Sequence, residues 1–359
     1  MSAPPTPPPK TFSAETAIKD WVTGLFGKKK PAPPVGDQPP GDASEKTEKK
    51  RILVIRLGAL GDLVLCFQAF HEIRQAHPKA EIALLTMPGF ADFARRMPWF
   101  NRVIIDPRPP AIHINQWLKL FKNVRAFAPE LVYDLQGKPR QNVLYARLGG
   151  PWGPAWSGAA PFCSLPRLAE PMPGMHFTDY VEAQLQLADV SAQEPADVSW
   201  LDAPLDKFKL PARFAVLVPG CAPHREYKRW PASKYAALAQ ELQKKGIASI
   251  AVGTKADAKV IADIRAINPK VADFSGSTTL FQLAAIMRRA ACVIANDTGP
   301  MHVAAVVGAP TLGLMSDQVD AEWSAPKGPR AKWLQGKPLA ELGVDKVLLA
   351  LGDFLDQKE

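Results

Sequence analysis

Ala-Cys-Val-Ile-Ala-Asn-Asp-Thr-Gly-Pro-Met-His-Val-Ala-Ala-Val-Val-Gly-Ala-Pro-Thr-Leu-Gly-Leu-Met, residues 291–315, reads as strand, turn, short helix and strand. Cys292 to Ala295 is a short apolar run suited to a parallel strand buried on both faces. Asn296 to Pro300 supplies a turn, a helix-capping residue and a proline for the first helical turn. Met301 to Val307 is the helix, Gly308 ends it, and Pro310 bars its return before the strand Thr311 to Met315. A helix that starts at the carboxyl end of a parallel strand presents unpaired N–H groups and a positive dipole end, which suits an anion.

The same alternation extends on both sides. Before it lie strands at Phe214 to Val218, Ala248 to Val252 and Val271 to Phe274, with helices at Ala232 to Lys245, Ala256 to Ile267 and Leu280 to Ala290. Further upstream, strands Arg51 to Arg56, Glu81 to Thr86, Arg102 to Ile105 and Leu131 to Tyr133 alternate with helices. Those helices are Asp62 to Ala76, Phe90 to Met97, Ile114 to Phe127, Pro139 to Leu148 and His176 to Ala188. Such alternation implies α/β architecture: two Rossmann-like parallel sheets whose carboxyl edges face across a cleft. The Gly/Pro/Trp-rich span Gly149 to Pro173 interrupts the pattern. The expected organisation is an extension over 1–50, a first domain over 51–190, a linker over 191–211, a second domain over 212–340 and a terminal helix within 341–359.

Residues 1–50 are Pro-, Lys- and Glu-rich and read as disordered. Within them Phe12, Ile18, Trp21, Val22, Leu25 and Phe26 follow helical spacing, and Lys28 to Lys30 form a basic trio. This pattern over residues 12–30 suits an anionic membrane surface, or else packs on the body of the protein. The chain has 359 residues and a net charge of +9, which favours an anionic partner. No nucleic-acid recognition motif is present, so nucleic acid is not expected. Cys66, Cys163, Cys221 and Cys292 have no metal or disulfide spacing, consistent with a reducing, cytoplasmic setting. No segment has the length and apolarity of a membrane span.

Three loops carry candidate chemistry. Arg56-Leu-Gly-Ala-Leu-Gly-Asp62 follows the first strand. It is not G-x-G-x-x-G, and no acid closes the second strand, so a dinucleotide oxidoreductase is disfavoured. Asp62 is either a helix cap or a general base. In the loop Pro219 to Pro231, cations opposite a helix N-terminus suit a diphosphate. In Ser275 to Gln282, a Ser/Thr cap with a glutamine three residues on reads as a capping box. No Asp-x-Asp pair occurs, so a metal-bridged sugar-nucleotide site, and hence any bound metal, is not expected.

Taken together, Gly61-Asp62, Asp134-Leu-Gln-Gly137, Pro219-Gly220, Lys228-Arg-Trp-Pro231, Ser275-Gly276 and Asn296-Asp-Thr-Gly-Pro-Met-His302 resemble glycosyltransferase family 9, the lipopolysaccharide heptosyltransferases. The resemblance runs from Arg51 to the C-terminus. It implies a GT-B fold and inverting transfer from ADP-heptose, a co-substrate rather than a cofactor, to a lipid-linked lipopolysaccharide core acceptor at the inner membrane face. It implies Asp62 as the base and Lys228 on the donor phosphates. Gly61, Asp297, Thr298, Gly299 and His302 would line the nucleotide-sugar site, and the terminal helix would fold back on the first domain. Departures from the family pattern are Phe67-Gln68, Ala222 and the Met315 to Asp320 loop. The alternative is a non-catalytic nucleotide-sugar-binding or scaffold protein at the membrane.

Overall fold

The computed structural model describes residues 49–168, 170–222 and 224–355. The expected helix within residues 12–30 lies outside them. The described chain forms two six-stranded parallel sheets, in the order β3-β2-β1-β4-β5-β6 and β12-β11-β10-β7-β8-β9. The first contains β1 (Arg51–Ile55), β2 (Glu81–Thr86), β3 (Arg102–Ile105), β4 (Leu131–Asp134), β5 (Ala155–Gly158) and β6 (Leu165–Pro166). The second contains β7 (Phe214–Val218), β8 (Ala248–Ala251), β9 (Ala272–Asp273), β10 (Cys292–Asn296), β11 (Thr311–Ser316) and β12 (Ala331–Gly336).

Period-two alternation explains why β1 is apolar from Ile52 to Ile55. Ile52 and Val54 face one layer of helices, with Phe67, Phe70 and Ile73 of α2 (Phe67–Ala76). Leu53 and Ile55 face the other, with Leu120 and Val124 of α4 (Ile114–Phe127) and Leu144 of α5 (Pro139–Arg147). Helices on both faces leave no solvated side, so hydrophobic residues run unbroken. In β7, Ala215 and Leu217 likewise part from Val216 and Val218.

Three expectations change. The helix read from Asp62 to Ala76 is two helices, α1 (Leu60–Val64) and α2, broken at Leu65 and Cys66. The Gly149 to Pro173 span supplies the last two strands of the first sheet, β5 and the edge strand β6. These are too short, and too rich in Gly and Pro, to show strand periodicity. The terminal helix, α12 (Val344–Leu355), does not pack on the first domain. Val347, Leu351, Phe354 and Leu355 enter the second-sheet core with Tyr235, Ala239 and Leu242 of α7 (Ala232–Lys244), and Arg213 Nη2 donates to the Leu355 carbonyl at 2.8 Å. Its apolar stripe is matched by α7, so burial is satisfied within its own half.

The connection over 191–211 is packed, not free. Trp200 lies 5.5 Å from Phe67, 5.7 Å from Phe93 and 6.2 Å from Phe281, ring centre to ring centre. Phe67 and Phe93 belong to the first half and Phe281 to α9 (Leu280–Arg288), so one aromatic cluster joins the halves.

Candidate active site

The turn after β1 places Asp62 in the first turn of α1. Gly58 has φ +123°, and a side chain there would collide with the Phe90 ring, so the tight turn requires glycine. Asp62 Oδ2 accepts the Ala59 N–H at 2.7 Å, and Oδ1 lies 3.3 Å from Arg56 Nη2. Asp62 is half-exposed, while Arg56 is buried. Arg56 also donates to the Leu135 carbonyl at 2.6 Å and lies over the Phe177 ring at 4.6 Å. The Leu57 N–H donates to Gln136 Oε1 at 3.0 Å, which ties Asp134-Leu-Gln-Gly137 to the same turn. Asp134 is fully buried; Gln136 and Gly137 N–H groups donate to its Oδ1. Burial pushes its carboxyl up to about 6, opposed by those donors and by Arg167 and Arg56.

In the second half, β10 runs through Asn296 into α10 (Gly299–Val306). Asn296 is fully buried and hydrogen-bonded through both of its amide heteroatoms. Its Oδ1 accepts from the Trp230 N–H at 3.2 Å and the Tyr235 hydroxyl at 3.0 Å, and its Nδ2 donates to the Pro219 carbonyl at 2.7 Å. It therefore locks the Lys228-to-Pro231 loop to the start of α10. Lys228 forms an ion pair with Asp297, and both side chains are almost wholly buried. Thr298 stands at the N-cap but makes no side-chain capping bond, so the first N–H groups of α10 are not taken up by a side-chain cap. The capping box is at Thr279, whose Oγ1 accepts from Gln282 N–H at 3.2 Å.

Helices α1 and α10 meet directly. A Cβ on Gly61 would lie 2.6 Å from His302 Cδ2, and one on Gly299 would lie 2.8 Å from Leu60 Cβ. Both positions need glycine for close approach. His302 is buried at this junction, and its Nδ1 has no hydrogen-bond partner among the described residues. Burial lowers its pKa to about 4, so it is neutral at pH 7; Asp297 and Asp62 pull it up, and His176 and Lys228 push it down. Of the expected residues, Gly61 and Gly299 thus lie at the α1–α10 contact with His302, the charges of Asp62, Asp297 and Lys228 act on its imidazole, and Thr298 is the N-cap residue just before Gly299.

The model of glycosyltransferase family 9 (heptosyltransferase) matches residues 117–337, more than half of the chain. The chain belongs to glycosyltransferase family 9. Lipooligosaccharide heptosyltransferase 2 of Haemophilus ducreyi is 25% identical over 283 residues, 72% of this chain and 81% of that protein. Lipopolysaccharide heptosyltransferase 2 of Escherichia coli is 25% identical over 294 residues, 74% of this chain and 82% of that one. Among solved structures, a Veillonella parvula family 9 glycosyltransferase superposes with a TM-score of 0.71 at 21% identity, covering 87% of this chain and 99% of the other. The E. coli ADP-heptose heptosyltransferase II gives 0.66 at 21%, covering 85% and 98%. The fold is GT-B.

Within this family 9 glycosyltransferase, sequence reasoning missed three residues at the junction. Arg56 was legible only as the end of a strand, Asn296 only as part of a turn within the family motif, and His176 only as the start of a helix. It caps α6 (Phe177–Gln186): its Nδ1 accepts the Thr178 N–H at 3.2 Å, so the proton resides on Nε2, which donates to the Ala325 carbonyl at 3.0 Å. Beside it Lys327 pairs with Asp179. These bonds cross from the first half to the second next to the site.

Proposed function

We propose that this chain transfers a heptose from ADP-heptose to a sugar of the lipopolysaccharide core, with inversion at the anomeric carbon. Residues 51–190 would take the acceptor and residues 212–340 the donor, with 191–211 joining them. The convergence of Asp62 and the start of α10 around His302 is the observation that carries this reading.

Asp62, half-exposed, accepts the proton of the acceptor hydroxyl as its oxygen attacks the anomeric carbon. The bond from that carbon to the β-phosphate oxygen breaks, and ADP leaves with the electron pair. Arg56 holds the Asp62 carboxylate in place from the buried side. The Lys228 ammonium and the uncapped N–H groups of α10 meet the growing charge on the diphosphate, so a metal ion is not required for that task. Asp297 anchors Lys228 and, with Thr298, Gly299, Gly61 and neutral His302, lines the donor sugar and diphosphate. Closing the halves over the donor excludes water and limits hydrolysis. We place the reaction at the cytoplasmic face of the inner membrane, where residues 12–30 offer one contact.

A thermal-shift panel of ADP-, UDP- and GDP-sugars tests the donor, because a ligand bound only by the folded state raises Tm. ADP-heptose should raise it most, and adding heptose-free core lipid should release ADP. A UDP-sugar raising Tm instead, or nucleotide binding without ADP release, would overturn the assignment; the latter would favour the non-catalytic alternative.

A further inference from the structure

Helices α4 and α5, the turn Gly150–Trp152 and the loop after β5 form one layer over the first sheet. Their inward residues, such as Leu120, Leu144 and Cys163, share one core. Large apolar side chains also point outward. Ile112 is 82% exposed, Trp152 92% and Phe162 90%, and Ile114, Leu118 and Val143 are exposed with them. Ile114 and Leu118 are four residues apart and so share a helix face. The Tyr145 hydroxyl donates to the Phe162 carbonyl, and Arg147 lies 5.8 Å over Phe121, which bind the loop and the two helices into a single surface.

The charge of this surface has one sign. Between Pro107 and Leu168 the acids are Glu130 and Asp134 alone. Glu130 is paired with Arg51, and Asp134 is buried. Lys119, Lys122, Arg125 and Arg147 are all exposed on the two helices. An apolar patch ringed by cations with no exposed unpaired acid is mismatched to water and to another copy of itself, whose cations would repel. It matches an anionic bilayer, where aromatic and aliphatic tips enter the interface and Lys and Arg meet headgroups. The described helices are too short or too polar to span a membrane, so the contact is peripheral.

We infer that the outer face of α4 and α5, with Trp152 and Phe162, is a docking surface for an anionic lipid membrane. The N-termini of α4 and α5 and the start of the loop after β5 lie at the carboxyl edge of the first sheet, the edge that carries Asp62, whereas Trp152, just before β5, lies towards the amino edge of the same layer. A membrane there holds a lipid-linked acceptor beside the base. That last link rests on the proposed function; the lipid contact itself does not, since vesicle binding needs no turnover.

Flotation of the full chain with vesicles tests it. Phosphatidylglycerol/phosphatidylethanolamine vesicles should carry the protein and phosphatidylcholine vesicles should not, with binding falling as salt rises. Ile114→Ser/Leu118→Ser and Trp152→Ser/Phe162→Ser should each weaken binding by at least about tenfold, and Lys119→Glu/Lys122→Glu by at least about twenty-five-fold, given about fivefold for each cation lost near such a surface. Circular dichroism and turnover on a water-soluble, deacylated acceptor should stay as in wild type. Several results would overturn the inference. These are equal binding to neutral vesicles, patch variants that float like wild type, and loss confined to Trp21→Ala in the N-terminal segment. A dimer that dissociates in the patch variants without any lipid binding would do the same.

Discussion

Asp62 has two functions that one substitution separates. Its Oδ2 holds the Ala59 N–H, and its half-exposed carboxylate has Arg56 beside Oδ1. Asp62→Asn keeps an oxygen for that bond but cannot take a proton. Transfer should fall about 10²–10⁴-fold, while Tm changes little. Lys228 and Asp297 behave differently, because both are buried. Asp297→Asn strands an ammonium group and should cost roughly 3–5 kcal/mol in denaturant unfolding. Lys228→Met/Asp297→Leu should recover most of that stability and none of the activity. His302 provides a pH test. Its folded pKa of about 4 lies below its ordinary value of 6.5, so the folded state refuses a proton that the unfolded state takes. The stability it supports is complete above pH 6.5 and is lost as pH falls towards 4, by roughly 3 kcal/mol. Asp134, raised to about 6, acts in the opposite sense: its contribution is complete below about 4 and lost as pH rises through 6. The readout is therefore the difference in unfolding free energy between wild type and His302→Asn. That difference should shrink as pH falls from 6.5 to 4, and a gap independent of pH would contradict the burial argument.

Among the elements, α10 and the two loops it meets were visible in the sequence because each has local punctuation. Asn296 to Pro300 specifies a strand end and a helix start without reference to the rest of the chain. The helix at Ile114–Phe127 was equally plain from its apolar periodicity. What was not legible depended on distant partners. The break between α1 and α2 falls in an unbroken helical pattern, with no Gly or Pro to mark it. The strands β5, β6 and β12 are defined by the neighbours they pair with. Arg56 and Asn296 became site residues only once the chain brought Leu135 and Trp230 to them. Asn296→Ala should therefore cost about 3 kcal/mol, through stranded groups on Trp230, Tyr235 and Pro219. The contact of α1 with α10 is equally specific. Gly299→Ala drives a methyl into Leu60, and should lower stability by about 1–3 kcal/mol and raise KM for the donor.

In the molecule as a whole, two sheets are joined by an aromatic cluster on one side and by the His176–Ala325 and Lys327–Asp179 bonds on the other. Trp200, from the Pro-rich connection, touches both halves, so Trp200→Ala should destabilise the protein by roughly 3–5 kcal/mol. The terminal helix is committed to the second half, so the crossing is made by these contacts together with the direct meeting of α1 and α10. Together they set the helix that carries Asp62 against the uncapped start of α10, and the proposed reaction rests on that opposition. Single-turnover transfer from ADP-heptose to heptose-free core lipid measures it most directly, comparing wild type with Asp62→Asn at saturating donor. The account predicts an inverted heptoside from wild type, and from the variant donor affinity unchanged with transfer slowed at least a hundredfold; transfer by Asp62→Asn at the wild-type rate would contradict it.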